Sequence, residues 1–127
     1  MKKLNKSQIH DLYEKCIKLL QRKPPEFLIF QKLENLCGVC VYEDDLIILD
    51  PRRDLIKTAY HECVHYIHPE WSESQVLYAE SRLMNVISNL ETARFLKILS
   101  SKIYKAELIK NLEDRKNFDV SKLKNNK

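Results

Sequence analysis

The chain has 127 residues, of which 44% are hydrophobic and 31% are charged, and its formal net charge at pH 7 is +4. This length fits one domain, and one glycine and four prolines are too few for a fold built from many short strands and turns. No run of about 18 apolar residues exists, which argues against a membrane-spanning helix. The basic N-terminus leads into no apolar segment, so we expect no secretory signal, a cytoplasmic location and reduced cysteines.

The first part of the chain predicts a helix followed by a small sheet. Within residues 1–23 the apolar side chains recur at helical spacing, and Ser7 is the predicted N-cap. Residues 26–50 contain three short apolar runs instead. Acidic turn residues between the second and third runs predict a hairpin of Val39–Tyr42 with Leu46–Leu49. We therefore expect about three short antiparallel strands in this region.

The middle of the chain, residues 53–90, predicts two helices joined by a short connection. The first helix begins at Asp54 or a neighbour and runs to about His68, where the following proline ends it. The second helix runs to about residue 88, and Ser72 with Gln75 three residues later predicts a capping box at its start. Because the connection is short, we expect the two helices to pack antiparallel.

Residues 91–117 predict further helix, near Thr92–Tyr104 and Ala106–Lys116, and residues 118–127 predict a frayed tail. The charges of this basic region are mixed rather than clustered, which is typical of a solvated helix face, so we do not expect a nucleic-acid partner. The whole chain, residues 1–127, is thus expected to form one mostly helical α+β domain with a small antiparallel sheet.

One pentad carries the strongest functional signal: His61-Glu62-Cys63-Val64-His65. On a helix, residues i and i+4 lie one turn apart on the same face, so His61 and His65 can bind one Zn²⁺. Glu62 lies beside the open coordination position, where a general base for a zinc-bound water must be. The other interpretation is two surface histidines next to an ordinary glutamate.

A catalytic zinc needs a third protein ligand. His68 is excluded, because it lies seven residues from His61, about 10.5 Å along the helix axis. Glu73 and Glu80 remain, on the same face of the next helix, and Glu80 lies in the middle of an apolar stripe where an unpaired carboxylate is costly. Helical side chains tilt towards their own N-terminus, which would bring Glu80 to the zinc and carry Glu73 away. We therefore favour Glu80, with Glu73 as the alternative.

Metallopeptidases often use a hydrogen-bond donor to the oxyanion besides the metal. His68, Tyr66 and Tyr78 flank the predicted site helices and are candidates, as is Tyr60. The sequence does not choose among them, and packing in the core is the alternative role for each tyrosine.

The pentad followed by a glutamate on the next helix resembles the gluzincin branch of the zincin metallopeptidases, and the compact size resembles the minigluzincins. The stretches Ile48–Arg52 and His68–Glu73 are similar to those of small bacterial and phage proteins of metallopeptidase type. The resemblance covers about residues 37–95. It implies a zincin-like domain in which a small sheet, an active-site helix and a backing glutamate helix surround the zinc, and in which an edge strand lines the cleft.

Taken together, the residues and the resemblance predict a zinc-dependent metallopeptidase that hydrolyses peptide bonds through a zinc-bound water activated by Glu62. Its partner would then be a peptide or protein substrate. The alternative is a non-catalytic or latent zincin-like protein that acts as an interaction or regulatory module, because no large C-terminal subdomain is present to build substrate pockets.

Overall fold

The computed structural model describes residues 2–22, 28–41, 46–52 and 54–105. Within these residues the chain forms four helices and a three-stranded sheet, which confirms a mostly helical α+β fold. The elements in chain order are α1 (Lys6–Leu20), β1 (Leu28–Phe30), β2 (Gly38–Val41), β3 (Leu46–Leu49), α2 (Leu55–Ile67), α3 (Glu73–Val86) and α4 (residues 89–105). None of the described helices combines the length and the apolar character that crossing a membrane requires.

The ends of the helices follow local capping chemistry. Helix α1 begins one residue before the predicted N-cap, because Asn5 rather than Ser7 caps it in a reciprocal box with Gln8. Helix α3 begins as predicted, since the Ser72 hydroxyl accepts a hydrogen bond from the Gln75 backbone N–H at 3.2 Å. The second half of that predicted box is missing, because the Gln75 side chain bonds Lys2 instead.

The sheet has the strand order β1-β3-β2. The predicted hairpin is present, since β2 pairs antiparallel with β3 in the register Val39 to Ile48. The expectation of an all-antiparallel sheet is wrong, because β1 pairs parallel with β3. Periodicity identifies a strand but not its direction. In this sheet β3 lies between β1 and β2. Strand β2 is consequently an edge strand, and it packs on α2.

Three helices, α1, α2 and α3, pack against one another, and α2 also packs against β2 and β3. The largest fully buried side chains come from most of these elements and form one core: Tyr13, Tyr60, Phe95, Ile9, Ile17, Leu20, Ile47, Leu49, Leu83, Leu99, Val64 and Val76. Helix α2 is thus held between the helical layer and the sheet, with one face left towards a cleft. The predicted helix Ala106–Lys116 and the tail 118–127 lie outside the described residues.

The N-terminal residues are hydrogen-bonded to α3. The Lys2 backbone N–H donates to the Gln75 side-chain oxygen at 2.8 Å, and the Gln75 amide donates back to the Lys2 carbonyl at 2.7 Å. The Leu4 backbone N–H donates to the Tyr78 hydroxyl at 3.0 Å. These bonds tie the start of the described chain to α3.

Candidate metal centre

The two histidines of the pentad lie next to each other on α2, as the i, i+4 spacing predicts. The centroids of their rings are 4.8 Å apart and the ring planes are inclined by 70°. Both side chains are partly buried, with 14% of His61 and 16% of His65 exposed. The sequence therefore located both histidines and their common face correctly.

Glu73 connects the two rings. Its Oε1 lies 2.8 Å from His61 Nε2, and its Oε2 lies 2.7 Å from His65 Nε2. The ligand atoms of His61, His65 and Glu73 all lie within 4.8 Å of one another. These three residues are a group that could hold a metal ion.

The donor set of this group fits zinc. Two imidazole nitrogens and a carboxylate are ligands that Zn²⁺ prefers, and three protein ligands leave the fourth position of a catalytic site open. Tetrahedral zinc with bonds of about 2.0–2.1 Å separates its ligand atoms by about 3.3 Å. The 2.7 and 2.8 Å contacts therefore need to open by about half an ångström, and the widest separation of the ligand atoms, up to 4.8 Å, needs to close by about 1.5 Å. Glu73 can supply the opening, because its side chain is 60% exposed.

Glu80, our preferred third ligand, lies on the other side of His61, so the structure places the alternative candidate, Glu73, beside the Nε2 atoms of both histidines. Its Oε1 is 2.9 Å from His61 Nδ1, the ring nitrogen that faces away from Glu73. The predicted antiparallel packing is present, and Glu80 lies level with His61 as expected. The tilt of helical side chains predicts that Glu80 lies at the height of His61 along the helix, but it does not predict which nitrogen of the His61 ring the carboxylate contacts. Glu73 reaches both histidines because it is the first residue of α3, directly after the short connection.

The position of Glu80 is typical of the residue behind a metal-binding histidine. A carboxylate on the distant ring nitrogen fixes the tautomer and the orientation of the ligating ring. Glu80 is buried, and its Oε2 lies 3.9 Å from Lys57 Nζ, so its charge on the apolar stripe is paired. The expectation that this buried acid needs a partner is confirmed, and the partners are His61 and Lys57.

Glu62 is buried beside the two histidines, with a relative exposure of 6%. Burial raises the pKa of its carboxyl group to about 7, the His61 ring lowers this pKa, and Glu73 and Glu80 raise it. Within the described residues its carboxylate forms no hydrogen bond or ion pair, so its oxygen atoms are free to accept a proton. A buried and unpaired carboxylate at the edge of a cleft is the environment expected of a general base.

Gly38, the glycine of this chain, lies directly over Glu62. A Cβ atom at this position would lie 2.8 Å from Thr58 Cγ2, 3.0 Å from Leu49 Cδ2 and 3.1 Å from Glu62 Cγ. Strand β2 can therefore approach α2 this closely only where no side chain intervenes. The glycine sets the distance between the edge strand and the general-base candidate.

The cleft between β2, α2 and α3 has two compartments, which meet at Gly38, His61 and Glu62. The Glu73 compartment, about 340 Å³, is lined in addition by Leu36, Val39, Cys40, His65 and Glu73. The Asp54 compartment, about 250 Å³, is lined in addition by Cys37, Asp54, Lys57, Thr58, Leu77 and Glu80. Edge strand β2 thus borders the histidines, as the resemblance implies for a zincin-like cleft.

Three candidate oxyanion donors, Tyr66, Tyr78 and His68, lie outside the lining of both compartments. The Tyr66 hydroxyl accepts a hydrogen bond from Arg22, and the Tyr78 hydroxyl accepts one from the Leu4 backbone N–H. His68 stacks on Trp71 at 3.8 Å, and its Nδ1 lies 3.0 Å from Glu70. Neither compartment of the cleft is lined by these residues.

Tyr60, the fourth candidate donor, is also directed away from the cleft. Its ring stacks on Phe95 in the core with the centroids 4.2 Å apart, and its buried hydroxyl has no partner among the described residues. A pattern of flanking tyrosines could not distinguish these core positions from cleft positions.

Asp50, which anchors the segment that precedes β2, was not identified from the sequence. Its carboxylate is fully buried and accepts hydrogen bonds from the Leu33 backbone N–H at 3.0 Å and from the Arg52 backbone N–H at 3.0 Å. The Arg52 guanidinium adds two more bonds, at 2.9 and 2.8 Å. The Asp50 backbone N–H donates to the Cys37 carbonyl at 2.8 Å, one residue before Gly38. An aspartate directly after a buried strand was the signal for this role.

Lys57 was also missed, although its spacing was a signal: it precedes His61 by four residues and so lies on the same face of α2.

Comparison with protein-family models, curated proteins and solved structures gives no match for this chain.

Proposed function

We propose that this protein is a zinc-dependent metallopeptidase. The observation that carries the proposal is the convergence of His61 Nε2, His65 Nε2 and both oxygens of Glu73, with the buried and unpaired Glu62 beside them. His61, His65 and Glu73 would hold the zinc, with Glu80 orienting the His61 ring. When bound, zinc supplies an acidified water and polarises a carbonyl oxygen.

The chain's own residues would perform the proton transfers. Glu62 takes a proton from the attacking water on a carboxylate oxygen that no described residue occupies, and then delivers it to the nitrogen of the leaving amine. Burial supports this role, because it raises the pKa of the Glu62 carboxyl in the metal-free protein and so makes this group a better proton acceptor than an exposed glutamate. Strand β2 supports the binding of an extended peptide by strand addition, because it is an edge strand of the described sheet and lines the cleft beside the histidines.

The first test measures zinc content and hydrolysis of a peptide mixture by the purified protein and its E62Q variant. We expect about one zinc per chain in both proteins, and at least a thousandfold lower kcat/KM in E62Q, since general base catalysis and water orientation are lost together. Zinc binding with equal activity in E62Q would reject the mechanism. A protein that takes up no added zinc would reject the whole class.

The second test separates the two acids of α3 by zinc affinity, measured with a competing chelator. E73Q removes a ligand, whereas E80Q removes only the partner of a ligating histidine. Loss of such a partner typically costs 10- to 100-fold in metal affinity, and we expect a larger loss in E73Q. The opposite order would restore Glu80 as the third ligand.

The alternative function, a non-catalytic or latent zincin-like module in the cytoplasm, is distinguished by the same measurements. If this alternative is correct, the unmodified protein binds about one zinc per chain and hydrolyses no peptide.

A further inference from the structure

The Asp54 compartment differs in charge and shape from the rest of the cleft. Asp54 lies at its outer end, immediately before α2, with left-handed backbone angles of φ 39° and ψ 46°. Its exposed side chain makes no capping hydrogen bond and forms no ion pair with a described residue. This carboxylate is therefore available to a ligand.

Among the described residues that line the compartment, the charges give an excess of acid. Lys57 is the cation among them, and its Nζ faces Glu80 at 3.9 Å, so its charge is matched within the compartment. The Asp54 charge has no such match among the described residues. A ligand carboxylate would have to displace Glu80 from Lys57 and would lie near Asp54 and Glu80, whereas a ligand cation would meet the Asp54 carboxylate.

The dimensions favour a long side chain. Asp54 and His61 are seven residues apart, about 10.5 Å along the axis of α2. The interval between them is bordered by Leu77 of α3, which is 48% exposed, and by Gly38, which has no side chain. An aliphatic stem can lie along Leu77 while its charged end remains near Asp54 and solvent, as lysine and arginine side chains do on protein surfaces.

We propose that the Asp54 compartment is a specificity subsite for a lysine or arginine side chain next to the scissile peptide bond. The inference rests on the proposed peptidase function, which it deepens by assigning a substrate class. Glu62 and His61 border both compartments, so a side chain in this subsite belongs to a residue that flanks the reacting carbonyl.

The test uses zinc-loaded protein and peptides that differ only in the residues on either side of the cleaved bond, which are lysine, arginine, leucine or glutamate. We expect kcat/KM to be about fivefold higher for the basic residues than for leucine at one of the two positions, the effect of one partly exposed ion pair. Glutamate should give the lowest value at that position.

The D54N variant identifies the residue responsible. Asparagine tolerates left-handed backbone angles, so the substitution keeps the start of α2 and removes only the charge. We expect the ratio of kcat/KM for lysine to that for leucine to fall about fivefold, to near unity. K57Q is the matched control in the same compartment, because loss of its cation should raise the ratio for lysine over glutamate. Unchanged ratios in D54N would overturn the subsite.

Binding of the same peptides, measured by calorimetry, separates this inference from the peptidase proposal. Cleavage without a basic preference rejects the subsite and retains the peptidase. Tighter binding of basic peptides that is lost in D54N, without cleavage, rejects the peptidase and retains the Asp54 compartment as a binding site for basic side chains. If the protein neither binds nor cleaves any of these peptides, both proposals are rejected.

Discussion

Two buried acids of this protein, Asp50 and Glu62, have opposite environments. Asp50, after β3, accepts four hydrogen bonds from Leu33 and Arg52, and these bonds hold the pKa of its carboxyl well below its usual range. Glu62, on α2, has no hydrogen bond among the described residues, and burial raises its pKa to about 7. Burial alone thus does not define the role of a carboxylate. A carboxylate that accepts several hydrogen bonds stabilises a loop, whereas a buried carboxylate without hydrogen bonds beside a cleft is suited to proton transfer.

The largest effect that would test this contrast is expected in D50N. The substitution keeps the shape of the side chain but leaves the Arg52 guanidinium without its anion and turns an NH₂ group towards backbone donors. Because a buried network is then broken, we expect the melting temperature at pH 7 to fall by about 10 °C. Differential scanning calorimetry measures this shift. An unchanged melting temperature would mean that the network contributes no stability.

The difference in melting temperature between the unmodified protein and D50N is expected to depend on pH. The pKa of Asp50 is lower in the folded than in the unfolded chain, so its stabilising contribution is present above the unfolded value of about 4 and is lost as pH falls below it. The unmodified protein should therefore lose stability on acidification, and its melting temperature should approach that of D50N. Melting curves of both proteins from pH 7 to pH 3 provide the measurement. A constant difference across this range would contradict the assignment.

A smaller effect is expected in G38A. The added methyl group would lie 2.8 Å from Thr58 Cγ2 and 3.1 Å from Glu62 Cγ, so β2 or the Glu62 side chain must move. We expect a loss of about 1–3 kcal/mol in the free energy of unfolding, the usual cost of overpacking.

The T58S variant supplies the matched control for G38A, because it removes the methyl group that the new Cβ would meet. The double variant should recover part of the lost stability in urea denaturation. Equal losses in G38A with and without T58S would show that the contact with Thr58 does not limit the approach of β2.

The smallest effect on stability is expected in E62Q. In metal-free protein the substitution removes a buried charge that makes no hydrogen bond, so the free energy of unfolding should stay the same or rise by about 1 kcal/mol. Urea denaturation in the presence of a chelator measures it. A destabilisation as large as that of D50N would show that Glu62 has a structural partner and would remove the contrast between the two acids.

The sequence predicted what depends on local periodicity and spacing. The bounds of β3 and of α2, and the common face of His61 and His65, follow from residues that are near one another in the chain. The parallel pairing of β1 with β3 does not, because direction depends on the path of the intervening chain.

The roles of Glu73 and Glu80 show the same limit within the site. Their spacing placed both on one face of α3, and the burial of an acid on an apolar stripe required a partner. The nitrogen of His61 that each acid meets depends on the rotation of α3 about its axis, which packing against α1, α2 and the N-terminal residues determines. The use of Asp50 as a loop anchor likewise depends on Leu33, seventeen residues earlier.

The N-terminal residues have a consequence for metal capture. Their two-way amide pairing with Gln75 and the bond to Tyr78 immobilise the helix that carries both Glu73 and Glu80. An incoming ion would therefore meet acids whose backbone is already ordered, and little of its binding free energy would be spent on lost conformational entropy. Affinity for the ion is in this way linked to an N-terminal segment whose hydrogen bonds are to Gln75 and Tyr78 rather than to the proposed ligands.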